Sequence, residues 1–152
     1  MIDKKLFIKI FSELLKEAGF IRKGQSWYWA GKDALIVFNL QRVGNFYNQY
    51  FINFGIWLKA FGIIEFPPFN RCHLYYRIER FFPQQRELIL NSCSLEVSNL
   101  QLINEFSELM KEQIIPLAKE LTNEQNLRKL MLQGFLDKGL VRTEAREYLS
   151  NP

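Results

Sequence analysis

Ala34-Leu-Ile-Val-Phe-Asn-Leu-Gln-Arg42 and Gln49-Tyr-Phe-Ile-Asn-Phe-Gly-Ile-Trp-Leu58 both alternate with period two, the signature of strands whose successive side chains point to opposite faces. A short connection over residues 43–48 makes them antiparallel neighbours. On the first run Ala34, Ile36, Phe38 and Leu40 share one parity, and Leu35, Val37, Asn39 and Gln41 the other. On the second, Tyr50, Ile52, Phe54, Ile56 and Leu58 oppose Gln49, Phe51, Asn53, Gly55 and Trp57. One face is oily and the other mixes amides with aromatics.

A third run, Arg71 to Arg80, continues the pattern, with Cys72, Leu74, Tyr76 and Ile78 against Arg71, His73, Tyr75, Arg77 and Glu79. With all three strands in one sheet, the mixed face collects Asn39, Gln41, Asn53, Arg71, His73, Tyr75 and Arg77. These are the candidate binding residues.

Upstream, Ser26-Trp-Tyr-Trp-Ala30 before Gly31-Lys32 predicts a strand entering a two-residue type II′ hairpin. That register sets Ala30 opposite Asp33, Trp29 opposite Ala34, Tyr28 opposite Leu35 and Trp27 opposite Ile36, turning both tryptophans to the core. Asp3 caps a first helix reaching about Ala18, with Phe7, Ile10, Phe11, Leu14 and Leu15 on one stripe and Gly19 at its end. Residues 19–24 read as a basic connection without the spacing of a phosphate loop. Downstream, residues 59–70 form a long aromatic loop that Pro67 and Pro68 keep irregular, with most of its apolar side chains expected to pack down.

Phe81-Phe-Pro breaks the third strand, and residues 87–97 fit either a short helix or a strand. From about Ser98 the period is helical through Leu102, Ile103, Phe106, Leu109, Met110 and Ile114. Pro116 kinks or divides that helix. Thr122-Asn-Glu-Gln125 reads as a capping box for a helix ended by Gly134, and a last helix spans Thr143 to Leu149. The resulting fold class is α+β, one domain over 1–152: an antiparallel sheet of four or more strands, an N-terminal helix on one face and a C-terminal helical group.

Composition fits this reading. The 152 residues are 48% hydrophobic and 15% aromatic, which excludes intrinsic disorder. Residues 1–86 carry 13 Lys/Arg against 6 Asp/Glu, and residues 87–152 carry 7 against 10, so the net +4 hides a basic first part and a mildly acidic last part. The first suits an acidic partner, nucleic acid included; the scattered placement, with no run of five or more Lys/Arg, favours a solvated surface. The N-terminus has no export signal, no stretch suits a bilayer span, and two cysteines without a spacing motif point to reduced thiols in a cytoplasmic protein.

Few catalytic chemistries survive inspection. One His and two Cys cannot supply the spacings of a zinc site, and no cofactor motif is present, so neither metal nor cofactor is expected. Cys72 and His73 are strand neighbours and point apart, no oriented third member joins Cys93 to His73, and no carboxylate pair suggests hydrolysis. His73 beside Arg71, Tyr75 and Arg77 is either an acid–base group or a hydrogen-bonded strand histidine. The amides Asn39, Gln41 and Asn53 are either a ligand surface or a structural ladder.

In their order along the chain, Gly19-Phe20 with basic residues after it, Trp27 to Trp29, Asn39-Leu-Gln41, Phe51-Ile-Asn-Phe-Gly55, Cys72-His73 with Arg77, and Ile115-Pro116 resemble the bacterial family called domain of unknown function 4304. The resemblance extends from Leu6 to about Leu132. It departs at Arg42-Val43, where the family pattern has a small hydroxyl residue. Similar small α+β proteins accompany bacterial toxins as immunity proteins, and the resemblance therefore implies a non-enzymatic protein that binds and neutralises a toxin domain. Against a basic toxin, the acidic helical segment with Glu105, Glu108, Glu112, Glu120 and Glu124 is the alternative contact face. Two other readings stand beside it: a binder of nucleic acid or an anionic ligand through Arg42, Arg71 and Arg77, and an enzyme in which a pocket joins His73 to Asn39, Gln41 or Asn53.

Overall fold

The computed structural model describes residues 1–42 and 48–151; residues 43–47 of the expected connection lie outside this description. Six strands form one antiparallel meander in chain order: β1 Ile21–Lys23, β2 Ser26–Ala30, β3 Ala34–Arg42, β4 Tyr50–Leu58, β5 Leu74–Arg77 and β6 Leu140–Val141. Helix α1, Lys4–Glu17, precedes them. The helices α2 Arg86–Ser92, α3 Leu100–Leu109, α4 Ile115–Glu120 and α5 Glu124–Leu132 lie between β5 and β6, and α6, Thr143–Ser150, closes the chain.

The central pair β3–β4 is in register from Ala34 opposite Leu58 to Arg42 opposite Tyr50, so even positions share a face as the alternation predicts. Ile36, Phe38, Phe54 and Ile56 are completely buried there. α1 lies over this face: Asp3 Oδ1 accepts the N–H groups of Lys5 and Leu6, and Gly19 follows at φ 94°. Its Phe11 ring meets the fully buried Trp27 edge-on at 5.0 Å, and Phe7 stacks with Tyr50 at 5.4 Å. Ile103, Phe106, Met110, Ile114, Leu127 and Leu149 complete the same core from the C-terminal helices. Lys119 of α4 donates to the Ala18 carbonyl at the end of α1, tying the two helical groups together.

Several expectations change in detail. The β2–β3 pairing is Ala30 with Leu35, Trp29 with Ile36, Tyr28 with Val37 and Trp27 with Phe38, displaced by two residues from the hairpin expected. The displacement preserves parity, so both tryptophans keep the core side. The turn is longer because Asp33 is drawn to α5, where its carboxylate accepts the Glu124 N–H at 2.9 Å and its own N–H donates to the Thr122 carbonyl. The cap of α5 is Asn123, one residue beyond the expected Thr122. Thr122 is buried, and its hydroxyl donates to the Lys119 carbonyl.

Residues 19–24 contribute the edge strand β1, not a simple connection, and residues 87–92 are helical. Pro116 divides the long helix through a π-turn at Met110–Ile114: proline has no N–H for the Glu112 carbonyl, and a wider turn absorbs the missing bond. No helix among the described residues is long and apolar enough to cross a membrane.

The third strand is the largest correction. Only Leu74–Arg77 is β; Phe69–Arg71 and Ile78–Phe81 are 3₁₀ turns, so Glu79 is not a strand residue. Cys72, expected on the core face, lies on the other one with Tyr28, Leu35 and Val37, because it leaves a 3₁₀ turn and does not follow strand alternation. The loop above this second cluster packs down only in part. Phe66 meets Tyr28 at 5.2 Å and Pro67 is buried, but Ile63, Ile64 and Phe61 are exposed.

Candidate functional site

The face opposite the core divides in two. Near Leu35 and Val37 the 59–71 loop packs on it, whereas Gln41 and Asn53 line an open cleft. The exposed half is built on a hydrogen-bonded amide row. Asn53 is only 3% exposed, and its amide donates to Asn39 Oδ1 at 3.2 Å and to Gln41 Oε1 at 2.9 Å. Asn39 in turn donates to Ser26 Oγ at 3.0 Å. These cross-strand bonds use the donors of a buried amide that would be costly to leave unpaired. Of the two roles open to these amides, the structural ladder is present.

Arg77 stands opposite Asn53 in the β4–β5 register, with its guanidinium 3.7 Å above the Phe51 ring. This cation–π contact fixes the side chain while leaving its outer donors free. Two open clefts of about 500 Å³ each meet at Arg77 and Arg80. Gln41, Asn53, Tyr75 and Lys138 contribute to the first, and Phe51, Glu79 and Arg86 to the second. Among the described residues, the ion pairs are Arg128 with Glu124 and Arg146 with Asp137, so Arg77, Arg80, Arg86 and Lys138 have no carboxylate partner. Glu79 is buried and its Oε2 has no hydrogen-bond partner among the described residues.

Arg71 and His73 are not part of this surface. Arg71 is exposed in the 3₁₀ turn, and His73 is buried between Trp57 and Phe61, with ring centroids 4.4 and 4.7 Å away. The Leu58 N–H donates to His73 Nδ1 at 3.0 Å, which requires that nitrogen to be unprotonated. Burial lowers the His73 pKa below its ordinary value; Glu144 opposes the shift and Arg142 adds to it. His73 lines a third cleft, with Trp57, Arg71, Arg142 and Glu144, and this cleft contains none of the three amides. The clefts at His73 and at the amide row have no lining residue in common.

The structure therefore brings together Asn39, Gln41, Asn53, Tyr75 and Arg77, and sets Arg71 and His73 apart. Sequence reading missed Phe51, Arg80, Arg86 and Lys138 as site residues. Phe51 had the correct parity. Arg80 had the wrong one, and reaches the clefts because the 3₁₀ turn abandons strand alternation. Lys138 arrives from a loop more than sixty positions away in sequence.

The alternative acidic surface is partly committed already. Glu105, Glu108, Glu112 and Glu120 are exposed, whereas Glu124 binds Arg128 and accepts from the Tyr148 hydroxyl. Burial pushes the Cys72 thiol up to about 12, with Arg142 opposing, and raises Cys93 further, with Glu79 adding to the effect. Both are free, protonated and poor nucleophiles. No group of three or more metal-ligating side chains occurs among the described residues.

Comparison of the sequence with protein families places residues 11–120 in the family described as domain of unknown function (DUF4304). The chain belongs to the DUF4304 family. No curated protein and no solved structure matches it. The DUF4304 span runs from within α1 to the end of α4 and holds the whole amide row with Arg77, Arg80 and Arg86. Lys138, Arg142 and the helices α5 and α6 lie beyond it. One wall of the first cleft is therefore built outside the DUF4304 span.

Proposed function

We propose that this DUF4304 chain is a non-enzymatic binding module whose uncovered half-sheet contacts a protein partner, most concretely as an immunity protein that blocks a bacterial toxin domain. The observation that carries this reading is the arrangement of Arg77 on Phe51 beside Tyr75, anchored by the satisfied amide row. Arginine and tyrosine dominate interface energetics because they combine apolar area with directional donors, and strands hold them with little entropy left to lose on binding. A partner with acidic groups at the contact suits Arg77, Arg80 and Arg86. The toxin assignment comes from the company kept by similar small α+β proteins. The binding assignment also agrees with a histidine committed to a backbone N–H and two thiols held protonated.

Capture of partners from the native host by the tagged chain, at moderate salt, tests this. A single stoichiometric protein is expected to be retained by the unaltered chain and by Glu105→Lys/Glu108→Lys, and lost with Arg77→Glu. Co-expression of the captured protein should then be toxic unless the unaltered chain is present. Loss of capture by Glu105→Lys/Glu108→Lys, with Arg77→Glu still binding, would move the contact to the acidic helices. Nucleic acid that elutes with salt, and no stoichiometric protein, would end the protein-binding reading.

A further inference from the structure

We infer that the cleft between β5 and the loop at residues 137–139 is a binding site for a phosphate-class oxyanion, with Arg77, Arg80 and Lys138 as its cationic groups. The cleft encloses about 500 Å³, within the usual range for small-ligand sites. Its three cations have no ion-pair partner among the described residues. The one acid in its wall, Asp137, is held by Arg146 at 2.5 Å, which offsets its repulsion of an anion.

Two of the three cations are also held in place. Arg77 rests on Phe51 at 3.7 Å and Lys138 on Phe135 at 4.4 Å, contacts that use the aromatic face and leave hydrogen-bond donors outward. Gly139 explains why the loop comes so near the sheet: a Cβ there would lie 2.6 Å from the Tyr75 carbonyl oxygen and 2.3 Å from Tyr76 Cδ1. Only the absence of a side chain lets Lys138 reach the β5 wall. Gln41 supplies a neutral donor, since the bond from Asn53 to its Oε1 directs the other end of the amide away from the ladder. Three cations exceed what a single carboxylate neutralises and match a multiply charged oxyanion, for which guanidinium forks have suitable geometry.

This inference does not rest on the protein-partner reading, and its test involves no partner. The phosphate group can come from a free phosphorylated small molecule or from a nucleic-acid backbone. Titration of the full chain with sodium pyrophosphate in low-salt, phosphate-free buffer should give saturable binding by calorimetry. The double variant Arg80→Gln/Lys138→Gln is expected to weaken it about tenfold or more, by loss of charge-assisted hydrogen bonds. Lys16→Gln/Lys129→Gln, which removes the same charge from exposed helix positions, should leave it within about twofold, with melting temperatures confirming that both variants fold.

A labelled single-stranded oligonucleotide separates the sources. Binding that pyrophosphate displaces assigns the site to nucleic acid, and no oligonucleotide binding beside intact pyrophosphate binding assigns it to small ligands. No pyrophosphate binding at millimolar concentration, or equal weakening in the two double variants, would overturn the site.

Discussion

The two faces of the sheet differ in how their character runs along a strand. On β3 the even side, Ala34, Ile36, Phe38 and Leu40, is apolar from end to end and buried throughout. The odd side changes halfway, from the buried Leu35 and Val37 to the half-exposed Asn39 and exposed Gln41. That change coincides with cover. Where the 59–71 loop lies over the face the odd residues are apolar, and where it stops they are amides. The polarity of the second face thus maps what lies above it, while the first face, packed into the main core, carries no such variation.

Substitutions test that contrast, and the largest effect belongs to the uniform face. Phe38→Ala, at a completely buried ring 5.1 Å from Phe54, is expected to cost about 3–5 kcal/mol in urea unfolding. A loss below about 1 kcal/mol would mean that the core face is packed much more loosely than described. On the covered half of the second face, Gly55→Ala should cost about 1–3 kcal/mol, because the new Cβ would lie 2.8 Å from Cys72 Sγ and 2.9 Å from Val37 Cγ1. A neutral outcome there would show that the loop yields easily and that cover on this face is weak.

On the uncovered half, Asn53→Leu removes the donor shared by Asn39 and Gln41, whose oxygens water can then reach. The expected loss is about 1 kcal/mol. A stabilising result would favour retention of the amide for binding.

His73 adds a pH test at the loop. Its folded pKa is below the unfolded value of about 6.5, so the unfolded chain takes up the proton first. The His73 contribution is fully present above about pH 6.5 and is lost as the pH falls from there towards the folded value. His73→Gln should flatten that part of the stability profile, measured by denaturation at successive pH values. An unchanged slope would show that another group titrates there. The smallest effect is expected for Arg80→Gln, an exposed side chain whose loss should change stability by under about 0.5 kcal/mol.

The elements that could be read in advance have strong local signals. α1 has its Asp3 cap, apolar stripe and closing Gly19, and β3–β4 have nine-residue alternation that fixes which residues share a face. The amide row followed from parity alone, since Asn39, Gln41 and Asn53 had to share a face. Errors arose where a distant element imposed local geometry. Asp33 is pulled to the start of α5, which lengthens the β2–β3 turn, and the Phe69–Arg71 turn removes Cys72 and His73 from strand alternation. β6 is too short to show a period and exists because β5 has a free edge to pair with.

By itself the sequence determined the α+β class, the central hairpin, the division of the sheet into an oily and a mixed face, and the DUF4304 resemblance. These depend on periodicity and order, which every residue of a segment reports together. Only the tertiary structure decided which cations meet at the clefts, that His73 is enclosed by Trp57 and Phe61, and that Lys138 stands beside Arg77 and Arg80. Those juxtapositions join residues far apart in the chain through 3₁₀ turns and a glycine-enabled close approach, and a local period carries no record of them.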